Sequence, residues 1–271
     1  MRLVLVRTLW GLADRPEDAV GALAQVRAAG YDAVSCPVQT LPDRRAFAAE
    51  LAENGLAYVP QVFTFGRTVD AHLDALRNAL AASVAFAPGH VVAQTGRDGW
   101  SFDDAVTFLQ AAQRIAVEVG VAVAHETHRG RILCNPWVTE RVLAAVPDLR
   151  LSCDLSHWVC VGESLRLPER IVDLVAEAAI HIDARVGFEQ GPQVPDPRVA
   201  SHAAHLAAHE AWWDRIWRRR EAAGDEALAV MPEFGPPPYQ PVDPRTGEPL
   251  ADVGEVNEWM AARLRARYGA P

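Results

Sequence analysis

The 271-residue sequence predicts an α/β protein of the (β/α)8 barrel (TIM barrel) class, and three observations carry that prediction. Short β-branched runs recur at steady spacing until there are eight of them, apolar segments of helical period lie between, and a last helical pattern closes the chain.

In chain order, the predicted strands are residues 3–7, 33–38, 58–63, 90–94, 121–126, 149–154, 179–183 and 227–233. The connecting segments PEDAVGALAQVRAAG, FAAELAENG, VDAHLDALRNALAASVAF and SFDDAVTFLQAAQRIAVEVG keep their apolar residues on one helical face. Ser101 reads as an N-cap with Asp104 three residues on, and Asn135 as an N-cap followed by Pro136 at the first helical position. Gly30, Gly55, Gly120 and Gly224 stand where helices should stop. The alternative is a doubly wound open sheet, but the first strand–helix turn, RTLWGLADRP, contains no G-x-G-x-x-G.

The whole chain, 1–271, reads as one domain with two insertions, at about 187–224 and about 235–256. The first holds GFEQGPQVPDP and an unusually long helix from about 198 to 220; the second is GPPPYQPVDPRTGEPLADVG. In a barrel of this kind such segments cover the mouth at the C-terminal ends of the strands.

Composition narrows the chemistry. A formal net charge of −9 argues against a nucleic-acid partner, whose backbone demands a basic footprint. Every basic residue is arginine. Without lysine there is no Schiff-base aldolase, no PLP aldimine and no Walker-type phosphate loop. The four cysteines, Cys36, Cys134, Cys153 and Cys160, form no C-x-x-C pair. The opening MRLVLVRTLWG does not read as a signal peptide, and no apolar run approaches the roughly 18 residues a membrane span needs, so a cytoplasmic protein without a membrane partner is expected.

The ends of four consecutive strands are polar: VAVAHETH, LSCDLSHW, AIHIDAR and VMPEF. Strand side chains alternate between faces, so Glu126 pairs with His128 on one face, and His181, Asp183 and Arg185 share another. With those faces inward, Glu126, Asp154, His181 and Glu233 converge at the mouth. Three carboxylates and an imidazole suit one divalent ion, with Mn²⁺ favoured and Mg²⁺, Co²⁺, Zn²⁺ or Fe²⁺ as the other candidates. A single strand-end acid more often caps a helix; four on successive strands are hard to explain that way. The HETH tetrapeptide is not a zincin motif, because its second histidine comes one residue early and the segment reads as strand.

These residues resemble the xylose isomerase-like barrels of the sugar phosphate isomerase/epimerase family, related to endonuclease IV. The resemblance rests on the Glu of H-E-T-H-R-G-R, the D-x-x-H of Asp154 and His157, the His of H-I-D-A-R and the P-E-F-G of the eighth strand. It implies that Glu126, Asp154, His181 and Glu233 bind the metal, and that Glu126 and Glu233 are the catalytic acid/base pair. It also places His157 and Arg185 beside the substrate. The implied reaction is isomerisation or epimerisation of a keto sugar or related polyol by proton transfer through a metal-stabilised enediolate. A lyase or dehydratase acting on a keto sugar, inosose or 3-keto-glycoside is the alternative. An endonuclease IV-like nuclease lacks the further histidines on early strands, and an intact ligand set argues against a non-catalytic partner subunit. Homo-oligomerisation is expected by analogy with the family.

Gln94, Trp10 and His128 are candidate substrate walls, with Arg129 beside them. His125 should face away and pack between strand and helix. His202, His205 and His209 form a stripe expected to be a solvated or interface face, and Trp213 and Trp217 are expected in core or subunit contacts. Barrel phosphate sites use N–H groups after strands seven and eight, where FGPPPY puts three prolines, so an unphosphorylated substrate is expected.

Overall fold

The computed structural model describes residues 1–13 and 18–269. Eight parallel strands close in sequence order into a barrel: β1 (Arg2–Thr8), β2 (Ala33–Pro37), β3 (Ala57–Phe63), β4 (Val91–Gln94), β5 (Val123–Glu126), β6 (Arg150–Cys153), β7 (Ala179–Ala184) and β8 (Ala227–Pro232). The closing pair is β1 with β8, in register from Arg2 opposite Ala227 to Leu5 opposite Val230. Each expected strand is present, with ends shifted by no more than a few residues.

The helices between them are α1 (Ala19–Ala28), α2 (Arg44–Asn54), α3 (Val69–Ser83), α4 (Phe102–Val119), α5 (Pro136–Ala145), α6 (Ser156–Val161), α7 (Glu169–Ala178), α8 (Ala203–Ala222) and α9 (Val253–Tyr268). Ser101 and Asn135 cap as the sequence suggests, accepting from the backbone N–H of Asp104 and Val138. Gly30, Gly55, Gly120 and Gly224 all have positive φ, the conformation that ends a helix without a Cβ clash.

Two apolar layers follow from strand alternation. The larger lies between strands and helices, with Phe47, Phe108, Trp158, Trp213 and Ile216 fully buried. The smaller comprises Val6, Ala33, Val59, Val92, Ala124, Ala229 and Met231. Ala124 shares a strand face with Glu126, and Met231 with Glu233, so this cluster fills the lumen directly beneath the polar mouth.

Helix α8 differs from expectation. His209 is not solvated: it is fully buried, along with Trp213 and Ile216. The charged flanks of α8 pair outward, Arg219 with Glu177 at 2.6 Å on α7, and Asp214 with Arg267 at 2.6 Å on α9. Trp217 stacks on Tyr268 of α9 with ring centroids 4.5 Å apart. The two tryptophans are core contacts, wedged between helices that ion pairs hold on either side.

The two insertions are sewn together over the mouth. Gln193, in the first, donates to the Gly235 carbonyl (3.0 Å) and to Gln240 Oε1 (2.9 Å), and accepts from the Gly235 N–H (2.8 Å). Gln240 in turn donates to the Pro195 carbonyl at 3.0 Å. No helix among the described residues is long and apolar enough to cross a membrane.

Candidate active site

Glu126 ends β5, Asp154 follows β6 and Glu233 follows β8, and all three are buried. A carboxylate oxygen of each lies within 4.8 Å of the others. Glutamines hold the two glutamates: Gln94 donates to Glu126 Oε1 and Gln61 to Glu233 Oε1, each at 3.2 Å. Gln94 was anticipated from its place at the end of β4. Gln61 obeys the same alternation rule on β3 and was missed because it stands two residues before the strand end.

His181 does not join this group. The register sets it opposite Ser152 on β6 and Ala229 on β8, in the layer of the lumen cluster. Its Nδ1 is 2.9 Å from His90 Nε2, and its Nε2 is 3.3 Å from Asp183 Oδ1. Cys153 pairs with Ile182, so the β7 residue level with Asp154 is Asp183; Ala184 pairs with Pro232, so Arg185 is level with Glu233. The polar triplet of β7 is therefore spread over three layers, and the sequence did not say which one is at the mouth.

Arg185 is the internal cation of the site. Its guanidinium contacts Asp154, lies 3.4 Å from Glu233 Oε2, donates to His157 Nε2 at 2.9 Å and to Ser156 Oγ at 3.3 Å, and is only 1% exposed. The Tyr239 ring covers it with 4.8 Å from centroid to Cζ. His157 accepts from Arg185 through Nε2, so its proton sits on Nδ1, which has no partner among the described residues.

Electrostatics and burial act together here. Burial, and then repulsion from Glu233, holds the Glu126 carboxyl well above its usual range. Burial raises Glu233 as well, against the pull of Arg185, and pushes Asp154 up to about 6. His157 is held well below its ordinary value, first by burial and then by His128 and Arg185. With Asp183, four buried carboxylates face one guanidinium.

That imbalance fits a divalent cation. Of the buried side-chain polar atoms lacking a hydrogen bond among the described residues, His181 Nε2, Asp183 Oδ1 and Glu233 Oε2 belong to this region, and the His157 Nδ1–H beside them is a donor left for a substrate oxygen. Unpaired buried polar atoms are costly, and their concentration beside a cluster of carboxylate oxygens offers a cation the hard oxygen donors it prefers.

A cavity of about 470 Å³ opens above, lined on one side by Gln61, Gln94, Arg185 and Glu233 and on the other by Trp10, Leu41 and Phe63. Trp10 meets the edge of Tyr239 at 5.0 Å, and a Cβ on Gly235 would strike the Trp10 ring at 2.1 Å, so only glycine allows this wall. His128 also lines the cavity, with its Nε2 3.3 Å from the Tyr239 hydroxyl. Tyr239, from the second insertion, roofs the mouth; no sequence signal singled it out. His125 packs as expected, buried, with Nδ1 2.9 Å from Thr95 Oγ1.

The sequence matches no protein-family model and no curated protein. The structure, however, superposes on an apo 3-keto-D-glucoside 4-epimerase from E. coli over 98% of this chain and 100% of that one, with a TM-score of 0.62 and 12% identity. A xylose isomerase-like TIM barrel protein from Mycobacterium smegmatis, solved with magnesium, matches over 98% and 97% (TM-score 0.64, 15% identity). The fold is that of the xylose isomerase-like barrels. A third such barrel, a probable 3-DHS dehydratase of petrobactin synthesis from Bacillus anthracis, matches over 97% and 98% of the two chains (TM-score 0.66, 11% identity). At these identities the shared property is the xylose isomerase-like architecture, including its full length.

Proposed function

We propose that this barrel is a metal-dependent isomerase or epimerase that moves a proton next to the carbonyl of a keto sugar or related polyol. The observation that carries the reading is the pair Glu126 and Glu233. Both are buried, both are oriented by glutamines, and they reach one mouth from different strands. Two carboxylates fixed on one mouth in this way can take a proton on one side of a substrate and return it on the other.

Glu126, Asp154 and Glu233 would hold the ion, with Asp183 level with Asp154 and His181 behind it. Mn²⁺ is the favoured candidate. Bound there, a divalent ion supplies Lewis-acid polarisation of a carbonyl oxygen. One glutamate takes the proton from the carbon beside the carbonyl, and the other returns it. Arg185 and the free Nδ1–H of His157 donate to substrate oxygens. The Tyr239 roof and the apolar wall exclude water, which strengthens every one of these interactions.

Elimination is the second reading, since a probable dehydratase shares this architecture and elimination beside a carbonyl begins with the same proton abstraction. The test is metal analysis of protein purified without chelator, followed by incubation with ketoses in D₂O. About one divalent ion per chain and deuterium at the carbon next to the carbonyl support the proposal. Loss of water or of a glycosyl substituent points to the lyase. Protein that takes up no divalent ion under any condition overturns the reading.

A further inference from the structure

A second cavity, of about 400 Å³, adjoins the first at His128 and lies among the loops that follow β3, β4 and β5. Its lining includes Arg97, Arg129 and Arg131, one or two from each of the loops after β4 and β5, opposite Thr64 and Gly66. In a chain of net charge −9, three guanidinium groups around one hollow call for a reason.

None of the three is paired with a carboxylate among the described residues. Many arginines elsewhere pair with a carboxylate, as Arg198 does with Asp196, Arg220 with Asp225 and Arg267 with Asp214; the three here are set apart by lining one hollow together. Arg131 spends only Nη1, on the carbonyls of Thr64 (3.0 Å) and Gly96 (3.4 Å). Arg129 lies over the Tyr239 ring, with Cζ 5.2 Å from its centroid. Arg97 is exposed and makes no ion pair among the described residues. Burial holds Arg131 below its usual range, and Arg97 adds repulsion while Glu126 opposes it.

Hydrogen bonds join the loops around the hollow. His72 is buried beneath it, with Nδ1 2.7 Å from Thr64 Oγ1, and Thr64 Oγ1 accepts from the Gly96 N–H at 3.1 Å. The loops after β3 and β4 are thereby tied to each other, and Arg131 ties the loop after β5 to both. Unpaired guanidinium forks on a fixed frame are the usual means of recognising an oxyanion. Proximity to the mouth follows from His128, which lines both cavities and has a ring nitrogen within 4.8 Å of a Glu126 oxygen.

We propose that Arg97, Arg129 and Arg131 form a subsite for an oxyanion, a phosphate or carboxylate, carried by the substrate whose carbonyl reacts at Glu126 and Glu233. The subsite rests on the catalytic reading only for its link to that carbonyl. In its phosphate form it departs from the expectation of an unphosphorylated substrate, which considered only the loops after the seventh and eighth strands. A polyanion such as DNA does not suit it: the chain is acidic overall, whereas a nucleic-acid backbone needs an extended basic track.

The test has a binding arm and a turnover arm. Inorganic phosphate and acetate are titrated into the metal-containing wild type, Arg97→Gln and Arg131→Gln, with binding followed by calorimetry and by ³¹P or ¹³C line broadening. Weakening of at least one anion by about tenfold in each variant is expected, the effect of losing one charge-assisted contact. Anion held only by a metal would be indifferent to both substitutions, and that result, like no binding in wild type, overturns the subsite. Binding of a DNA duplex that depends on the same arginines, without small-anion binding, also overturns it. Because Arg97 is exposed and without a charged partner, its variant folds even if Arg131→Gln does not.

In the second arm, D-fructose, D-fructose 6-phosphate and D-fructuronate are compared for deuterium uptake. Preference for one anionic ketose, lost in Arg97→Gln, identifies phosphate or carboxylate. Arginine-dependent anion binding with no exchange in any ketose keeps the subsite and removes the isomerase reading. Faster exchange in neutral fructose than in either anionic ketose overturns the subsite while leaving the isomerase reading in place.

Discussion

Replacing Glu233 by glutamine should make the metal-free protein more stable and the metal-loaded protein less so. Glu233 is 4% exposed, its Oε2 has no hydrogen bond, and it shares the single guanidinium of Arg185 with Asp154. Glutamine has nearly the same shape and keeps an oxygen to accept from Gln61, now at 3.2 Å from Oε1. The change loses an attraction to Arg185 at 3.4 Å, but Arg185 keeps Asp154. It also removes the cost of holding one more buried charge among like charges. Desolvation of a buried ion costs several kcal/mol, so relieving one charge in excess of its partner, less the lost attraction to Arg185, should gain about 1–3 kcal/mol. In a chain of this size that corresponds to a rise in Tm of roughly 3–8 °C. Thermal unfolding of chelator-treated protein at pH 8 measures it directly. Addition of Mn²⁺ at a hundred times its dissociation constant should then stabilise the wild type by about 2.7 kcal/mol, and the variant by much less. A variant that melts below wild type without metal would refute the charge imbalance, and equal stabilisation of both by Mn²⁺ would refute the ligand assignment.

Three further outcomes follow from how the site is supported. A Cβ on Gly187 would lie 2.7 Å from the Ser156 carbonyl oxygen, so Gly187→Ala should cost about 1–3 kcal/mol by overpacking and displace Arg185, read as a lower Tm with loss of deuterium exchange. Asn257, on α9, is buried and bonds both the N–H (2.9 Å) and the carbonyl (2.8 Å) of Phe234; Asn257→Ala should cost about 2–4 kcal/mol in denaturant melts and weaken metal binding at the adjacent Glu233. His209 accepts from the Gly187 N–H at 3.2 Å, and burial depresses it from 6.5 to about 4. A depressed histidine leaves stability intact above its unfolded pKa and removes it as pH falls towards the folded value. The stability advantage of wild type over His209→Gln should therefore shrink by up to about 3 kcal/mol between pH 7 and pH 4, seen as converging Tm values; a constant gap would mean that His209 is not buried and neutral.

The sequence alone determined the barrel, because eight strand-like runs and their helices are local patterns: period-two alternation, N-caps at Ser101 and Asn135, and glycines at helix ends. It also determined which strand ends carry acids, so Glu126, Asp154 and Glu233 were legible, and with them Gln94 and Trp10. What it did not determine is depth along a strand. His181, Asp183 and Arg185 satisfy one alternation equally well, and only the register of β7 against β6 and β8 put His181 in the lumen layer and Arg185 at the mouth. Contacts between segments distant in the chain were equally hidden. The seam from Gln193 to Gly235, the Tyr239 roof and the burial of His209 under Gly187 each join residues more than 20 positions apart or elements of no regular period. The gathering of Arg97, Arg129 and Arg131 around one hollow illustrates the same limit. A sequence shows that a chain is acidic overall, but charge pairing depends on distances of a few ångströms, and those exist only once the loops after β3, β4 and β5 have come together.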